Sequence, residues 1–308
     1  MGEDAQLDRE ALEHLHTVGD WVRWGSSQFG AREVFFGHGT DNPADEARAL
    51  VFAALALDHA VPDYFNATRL TPTERRRIFD LFERRLLERV PVPYLTGEAW
   101  FAGLRFAVDE RVLIPRSPIA ELIQHGFEPW LPWPEPRSVL DLCTGSGCIA
   151  IACAYAFPDA TIVASDIDRD ALEVATENVA RHGLEHQVTV LHSDLFESLR
   201  DQRFDLIVSN PPYVPDSSMA QLPREYQHEP AQALRADENG LALVLDIVYG
   251  AADRLTDDGV LVVEVGESRD AAAEAMHYLA LNWVEFEQGG DGVFVLSADD
   301  LTQLPPRS

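Results

Sequence analysis

The sequence predicts an α/β protein, a doubly wound, Rossmann-like sheet preceded by a helical N-terminal domain and a linking β-hairpin. Three observations lead there. Apolar residues over the first ninety positions recur at helical spacing. Four prolines between Pro129 and Pro136 mark an entrance, beyond which strand-like and helix-like stretches alternate. The apolar strand ending at Leu142 runs straight into the turn Thr144-Gly145-Ser146-Gly147, as where a doubly wound sheet meets its ligand. With 308 residues the chain exceeds one ordinary core. The expected divisions are a helical domain over 1–92, a hairpin linker over 93–116 and an α/β domain over 117–308.

From Leu7 to Phe29, Leu12, Leu15, Val18, Trp21, Val22 and Trp24 fall at three- and four-residue steps, which predicts an amphipathic helix. Asn42-Pro43 reads as a cap with proline in the first turn of a helix through Leu57. Thr71-Pro72-Thr73-Glu74 reads as a capping box opening a helix through Arg89. Arg75-Arg76-Arg77 and Arg84-Arg85 form the one basic stripe. It is either a docking face or, more simply, a solvated face paired with Glu74, Glu83 and Glu88. Pro91 and Pro93 end the helical region, and Tyr94 to Leu113 alternates around Gly97 and Gly103 like a hairpin. Strands follow at 138–142, 161–166, 188–192, 204–209 and 259–265, with a closing hairpin of 284–287 and 292–296. Helices are expected at 168–182, capped by Asp168, and at 239–254.

Composition narrows the partners. The chain carries 52 acidic and 24 basic residues, net −28, and every one of those cations is arginine. Such a field repels phosphate backbones and attracts basic proteins, which disfavours a nucleic-acid substrate. Adaptation to high salt and a coding bias that swaps lysine for arginine both account for the bulk of the charge. The longest apolar run, Ala49 to Leu57, is too short to span a bilayer, and the start, with Glu3, Asp4, Asp8 and Glu10, lacks the form of a secretory signal, so a cytoplasmic protein is expected. Cys143, Cys148 and Cys153 show no metal-ligand spacing and read as small buried side chains; no metal is expected.

In Val139 to Cys148, two glycines let the backbone approach a ligand closely. On glycines alone, Gly145 to Ala150 also fits a dinucleotide pattern, so a nicotinamide-dependent reductase is a competing reading. Asp141 favours S-adenosylmethionine, because an acidic residue four positions before the first glycine suits a cationic amino-acid moiety. Cys143, Thr144, Gly145, Ser146 and Gly147 would cradle that ligand. Asp166, twenty-one residues after Gly145, can accept both hydrogen bonds of a ribose diol, while Asp168 has the simpler role of helix cap. After the third strand, Asp194 can accept from an adenine amino group and Leu195 can pack on its face; a plain turn is the alternative.

Asn210-Pro211-Pro212-Tyr213 is the most specific string. Asn210 and Pro211 each precede a proline and are pushed to extended geometry, and neither proline donates a backbone hydrogen bond. The Asn210 amide oxygen, which could also border the cofactor, and the Pro211 carbonyl can then accept the two N–H bonds of one planar –NH2 group, with Pro212 beside them and Tyr213 stacked on the plane. An amide nitrogen is a poor nucleophile, so this hold supplies orientation and electrostatic help rather than a strong base.

With these residues the chain resembles the HemK-like protein-(glutamine-N5) methyltransferases. The shared features are Asp141 to Gly147, Asp166, Asn210 to Tyr213, the stretch from Glu229-Pro230 to Leu234, and Val112-Leu113-Ile114-Pro115-Arg116. The resemblance covers nearly the whole chain and implies a class I S-adenosylmethionine methyltransferase sheet and a glutamine amide as acceptor. Ser117-Pro118-Ile119-Ala120-Glu121 and Gly37 to Pro43 are similar to its ribosomal branch, which implies large-subunit ribosomal protein L three, free or in assembly intermediates, as the partner. Peptide chain release factors are the alternative, and a DNA adenine methyltransferase is a more remote one, since adenine also presents an exocyclic amino group.

Overall fold

The computed structural model describes residue 7 and residues 9–58, 60–131, 135–199, 201–236, 240–287 and 289–306. Pro132 and Pro134 of the proline-rich entrance, Asn239 of the expected 239–254 helix, and Glu3, Asp4 and Asp8 lie outside these residues. Two compact units are present, one of Met1–Glu98 with Pro223–His228 and one of Ala99–Leu222 with Glu229–Ser308.

The first unit is helical. The expected helix over 7–29 is two, Glu10–His14 and Val18–Ala31. The break is chemical: Thr17 and Asp20 form a capping box that starts a new helix. Asn42 caps Pro43–Ala54 through Ala44 N and Asp45 N, and Thr71 and Glu74 box the start of Pro72–Glu83. The latter helix widens into a π-turn over Arg84–Glu88 and stops at Arg89 in the left-handed region. Trp21, Phe29, Phe79 and Phe82 form the aromatic centre of the core. Neither reading of the arginine stripe covers Arg85. It is 1% exposed, and it donates to Glu46, to the Phe35 carbonyl and to Glu225, which the returning segment Pro223–His228 supplies. Arg84 does pair with Glu88 at the surface.

The second unit opens with the paired strands β1 (Glu98–Phe101) and β2 (Leu104–Ala107), joined through Ala102 and Gly103, both at positive φ as a tight two-residue turn requires. Tyr94, expected in the hairpin, lies instead in a short helix, Val92–Thr96. The main sheet comprises β3 (Ser138–Leu142), β4 (Thr161–Asp166), β5 (Val188–His192), β6 (Phe204–Ser209), β9 (Leu255–Glu264), β10 (Asn282–Trp283) and β11 (Val293–Ser297). Its order is β10-β11-β9-β6-β3-β4-β5, with β5, β4, β3, β6 and β9 parallel. The minor strands β7 (Val214–Pro215) and β8 (Arg235–Ala236) pair separately. The closing hairpin is formed by β10 rather than 284–287, with β11 antiparallel to it.

Both sheet faces are covered, which is why its strands read as continuous apolar runs rather than alternating ones. Val139, Ile162, Leu206 and Val262 pack with helices Ile119–Gln124 and Cys148–Ala156 on one side. Leu140, Ile207, Leu261 and Val263 pack with helix Ala242–Ala252 on the other. Among the described residues no helix is long and apolar enough to cross a membrane.

Candidate active site

Successive strands run outward from β3 through β4 to β5, then restart on the other side of β3 with β6. Such a reversal leaves a crevice at the carboxyl ends of the strands, where open α/β sheets bind ligands. A cavity of about 280 Å³ lies there. Cys143, Gly145, Asp166, Asp194, Leu195, Asn210 and Pro212 line it, so the topology brings together residues from four separate strand ends.

Cys143 and Gly145 have φ of +58° and +53°. A Cβ at Gly145 would meet no atom within 4 Å, so glycine here leaves open space above the turn and also relieves backbone strain. Gly147 serves packing instead, because its Cβ would come within 3.3 Å of Ala175. Asp141, Thr144, Ser146 and Gly147 do not line the cavity. Asp141 is fully buried, and its Oδ2 accepts from Thr144 Oγ1 and Ala150 N, shaping the turn from behind. Its Oδ1 has no partner. Burial pushes this carboxyl up to about 7, opposed by those two donors.

Asp166 accepts from Gly145 N and Asp168 N, each at 2.9 Å, one on each oxygen. A carboxylate oxygen has a second lone pair, so both oxygens keep capacity for a diol. Burial pushes its carboxyl up, against the pull of the two N–H groups. Asp168 caps helix Arg169–His182 through Asp170 N. Leu195 sits at φ +42°, and the Ser193 hydroxyl donates to its carbonyl, holding Asp194 and Leu195 at the cavity rim. The open space at Gly145 and the two-sided Asp166 carboxylate fit an adenosyl cofactor, with buried Asp141 shaping the turn behind it.

Asn210 is half-buried, and its side-chain amide has no hydrogen-bond partner among the described residues; the Pro211 carbonyl likewise accepts none. Pro211 is buried, and neither it nor Tyr213 lines the cavity. The Tyr213 hydroxyl donates to Glu264 Oε1 at 2.9 Å, and its ring lies against Gly266, where a Cβ would come within 2.5 Å. Glu264 also accepts from Ser117 Oγ. Burial pushes the Glu264 carboxyl up, opposed by the two hydroxyls and the charge of Arg116.

Several positioning residues are absent from the sequence reading of the site. Arg111, Val112, Leu113, Pro230, Gln232 and Ala233 line the cavity. Their two stretches are joined by Glu229, which accepts from Ile114 N and takes both arms of the Arg116 guanidinium. All of these cavity residues but Arg111 lie in the strings 112–116 and 229–234, which the chain shares with the HemK-like family. Fully buried Asn178 exchanges hydrogen bonds with the Ala107 backbone and donates to the Ser146 carbonyl, tying the turn to β2. It occupies an ordinary helical position and nothing in the sequence sets it apart.

The family model for the Methyltransferase small domain matches residues 129–279. The catalytic domain of hMettl16, solved in complex with MAT2A 3'UTR hairpin 6, superposes with a TM-score of 0.50 at 18% identity, covering 73% of this chain and 80% of that one. That likeness concerns the fold alone. Sheet order, crevice and family match together define a class I methyltransferase. The ribosomal protein uL3 glutamine methyltransferase of Francisella tularensis subsp. tularensis is 45% identical over 299 residues, covering 97% of this chain and 95% of the relative. That of Xylella fastidiosa is 49% identical over 291 residues, covering 94% and 93%. The chain belongs to the family of the ribosomal protein uL3 glutamine methyltransferases.

Proposed function

We propose that the protein methylates the side-chain amide nitrogen (N5) of a glutamine in ribosomal protein uL3, with S-adenosylmethionine as donor and without a metal. The observation that carries this reading is the unpartnered Asn210 amide at the edge of the cavity, next to the free Pro211 carbonyl. Two acceptors and no base suit a planar –NH2 group, and the relatives act on such a group in uL3. S-adenosylmethionine, when bound, supplies a methyl group activated on a sulfonium.

The chain's own residues bind and orient. Asp166 accepts from the ribose diol, Asp194 and Leu195 hold the adenine, and Cys143 and Gly145 line the turn. Thr144, Ser146 and Gly147 give the turn its shape, and Asp141 serves the cofactor from behind it, through Thr144 and Ala150. Asn210 and Pro211 accept the two amide N–H bonds, fixing the nitrogen and its lone-pair direction, with Pro212 and Tyr213 bordering the amide plane. The helical N-terminal region, 1–92, reads as the substrate-recognition part, joined by the 93–116 linker to the 117–308 catalytic part. The net charge of −28 steers a basic ribosomal protein toward the enzyme, which favours free uL3 or an assembly intermediate in the cytoplasm over the finished ribosome.

A competition tests this. Purified enzyme and labelled S-adenosylmethionine are offered free uL3, assembled large subunits, a release factor and DNA in parallel. Label enters chiefly free uL3, at a rate that falls as salt rises. Label chiefly in the release factor would overturn the target while keeping the chemistry, and label in DNA would overturn both.

A further inference from the structure

We propose that Glu264 is a positioning residue for methyl transfer, holding Tyr213 in register beside Asn210, and that Ser117 completes the hold. The inference deepens the reading above, since it rests on Tyr213 bordering the acceptor amide.

Glu264 is the last residue of β9, 4% exposed, on a strand otherwise finished in apolar side chains. A carboxylate there carries a desolvation cost that leucine or valine would not. Among the described residues Glu264 makes no direct ion pair; the guanidinium of Arg116 is engaged bidentately by Glu229, and its charge offsets only part of the cost from a distance. The carboxylate instead takes two hydroxyls. Oε1 accepts from Tyr213 Oη, and Oε2 accepts from Ser117 Oγ, which in turn accepts from Ile119 N.

Every remaining part of Tyr213 is also held. Its ring lies against Gly266, at φ +47°. Its carbonyl accepts from Ser268 Oγ and leaves no room for a Cβ at Gly240, which would come within 2.6 Å. Backbone, ring and hydroxyl are thus all held, by the stretch 264–268 and by the close approach of Gly240. A delocalised amide reacts only when its plane is presented at the correct angle, so an aromatic side chain bordering that plane must not swing. Glu264 supplies a hydrogen-bonded anchor at the far end of the ring, where the lever arm is longest.

The test compares Glu264→Leu, Glu264→Gln, Ser117→Ala, Tyr213→Phe and the pairwise combinations with Tyr213→Phe. Turnover on purified uL3 at saturating S-adenosylmethionine is read beside calorimetric cofactor affinity and a thermal melt. Glu264→Leu lowers turnover about ten-fold or more while cofactor Kd stays within about two-fold of the parent, because the anchor acts on the acceptor side. Glu264→Gln recovers most of that loss, since a carboxamide oxygen still accepts from the phenol. Tyr213→Phe adds little in the Glu264→Leu background, because both remove one bond. Should Glu264→Leu fail to fold, Ser117→Ala removes a single hydroxyl and carries the same expectation on a smaller scale, with its effect gone in Tyr213→Phe.

Parent-like turnover in Glu264→Leu or Ser117→Ala, or losses that multiply independently in the double variants, would overturn the proposal and leave Glu264 a purely structural residue. Asn210→Ala is the control. If it loses turnover while the Glu264 variants do not, this proposal alone fails. If Asn210→Ala retains turnover, the underlying reading of the site fails with it.

Discussion

Asp141 shows how one residue can serve the turn and the ligand at different energies. Its buried Oδ1 is unpartnered, and its carboxyl is pushed up to about 7, so the folded chain holds the proton longer than the unfolded chain, whose ordinary value is 3.8. A native pKa above the unfolded one means the unfolded state binds fewer protons in that interval. Stability therefore falls as pH rises from 3.8 toward 7, and the full cost is present above it. Asp141→Asn does not titrate and can still accept from Thr144 and Ala150. In cofactor-free protein its melting temperature should gain on the parent's as pH is raised through that window, while calorimetry shows weaker S-adenosylmethionine binding. A gain absent on both sides of the window would place the Asp141 proton elsewhere.

Residue-scale legibility follows distance along the chain. Gly145, Asp166, Asp194, Leu195, Asn210 and Pro212 were readable because each belongs to a short string whose backbone consequences are local, and the fold brings them to one cavity. Glu264 and Asn178 were not, and Ser117 and Glu229 stood in motif strings without a role, because the meaning of all four lies in partners remote in sequence. Ser117 is 147 residues from Glu264, and Glu229 is 115 from Ile114.

At the scale of elements, the bounds of β3 to β6 were legible to the residue: β3 and β6 because they are buried nearly throughout, β4 and β5 because their apolar runs are short and bounded by polar residues. Errors fell where two signals shared one stretch. The 7–29 run keeps its apolar spacing through a break at Thr17, which only the Thr17–Asp20 capping box reveals. The arginine stripe looked solvated because the partners of Arg85 lie far along the chain, at Glu46 and Glu225. The turn after β9 carries its own prediction. Gly266 is at positive φ, and a Cβ there would strike the Tyr213 ring. Gly266→Ala should cost about 1 kcal/mol of stability from backbone strain. It should also lower turnover more than it lowers cofactor affinity, measured by melts, initial rates and calorimetry. Parent-like turnover would mean that the ring's place does not matter.

For the molecule as a whole, charge governs behaviour more than fold. With 52 acidic residues against 24 arginines, self-repulsion opposes the compact state and is screened within about 10 Å at 0.1 M salt. Melting temperature should rise from low to molar salt. A flat or falling series would leave coding bias as the account of the lysine-free composition. The doubly wound sheet was legible at this scale from strand–helix alternation. The return of Pro223–His228 to the helical unit was not, since it depends on Arg85 receiving Glu225.

The central claim is that a glutamine amide of uL3 receives the methyl group while Asn210 holds it. The most direct measurement is tandem mass spectrometry of free uL3 after incubation with S-adenosylmethionine and either the parent enzyme or Asn210→Ala. The account predicts one methyl group on one glutamine side chain with the parent. With Asn210→Ala it predicts none, a loss of about 3 kcal/mol or more of transition-state stabilisation, with cofactor affinity retained. A methyl group on another residue type, or comparable glutamine methylation by Asn210→Ala, would contradict it.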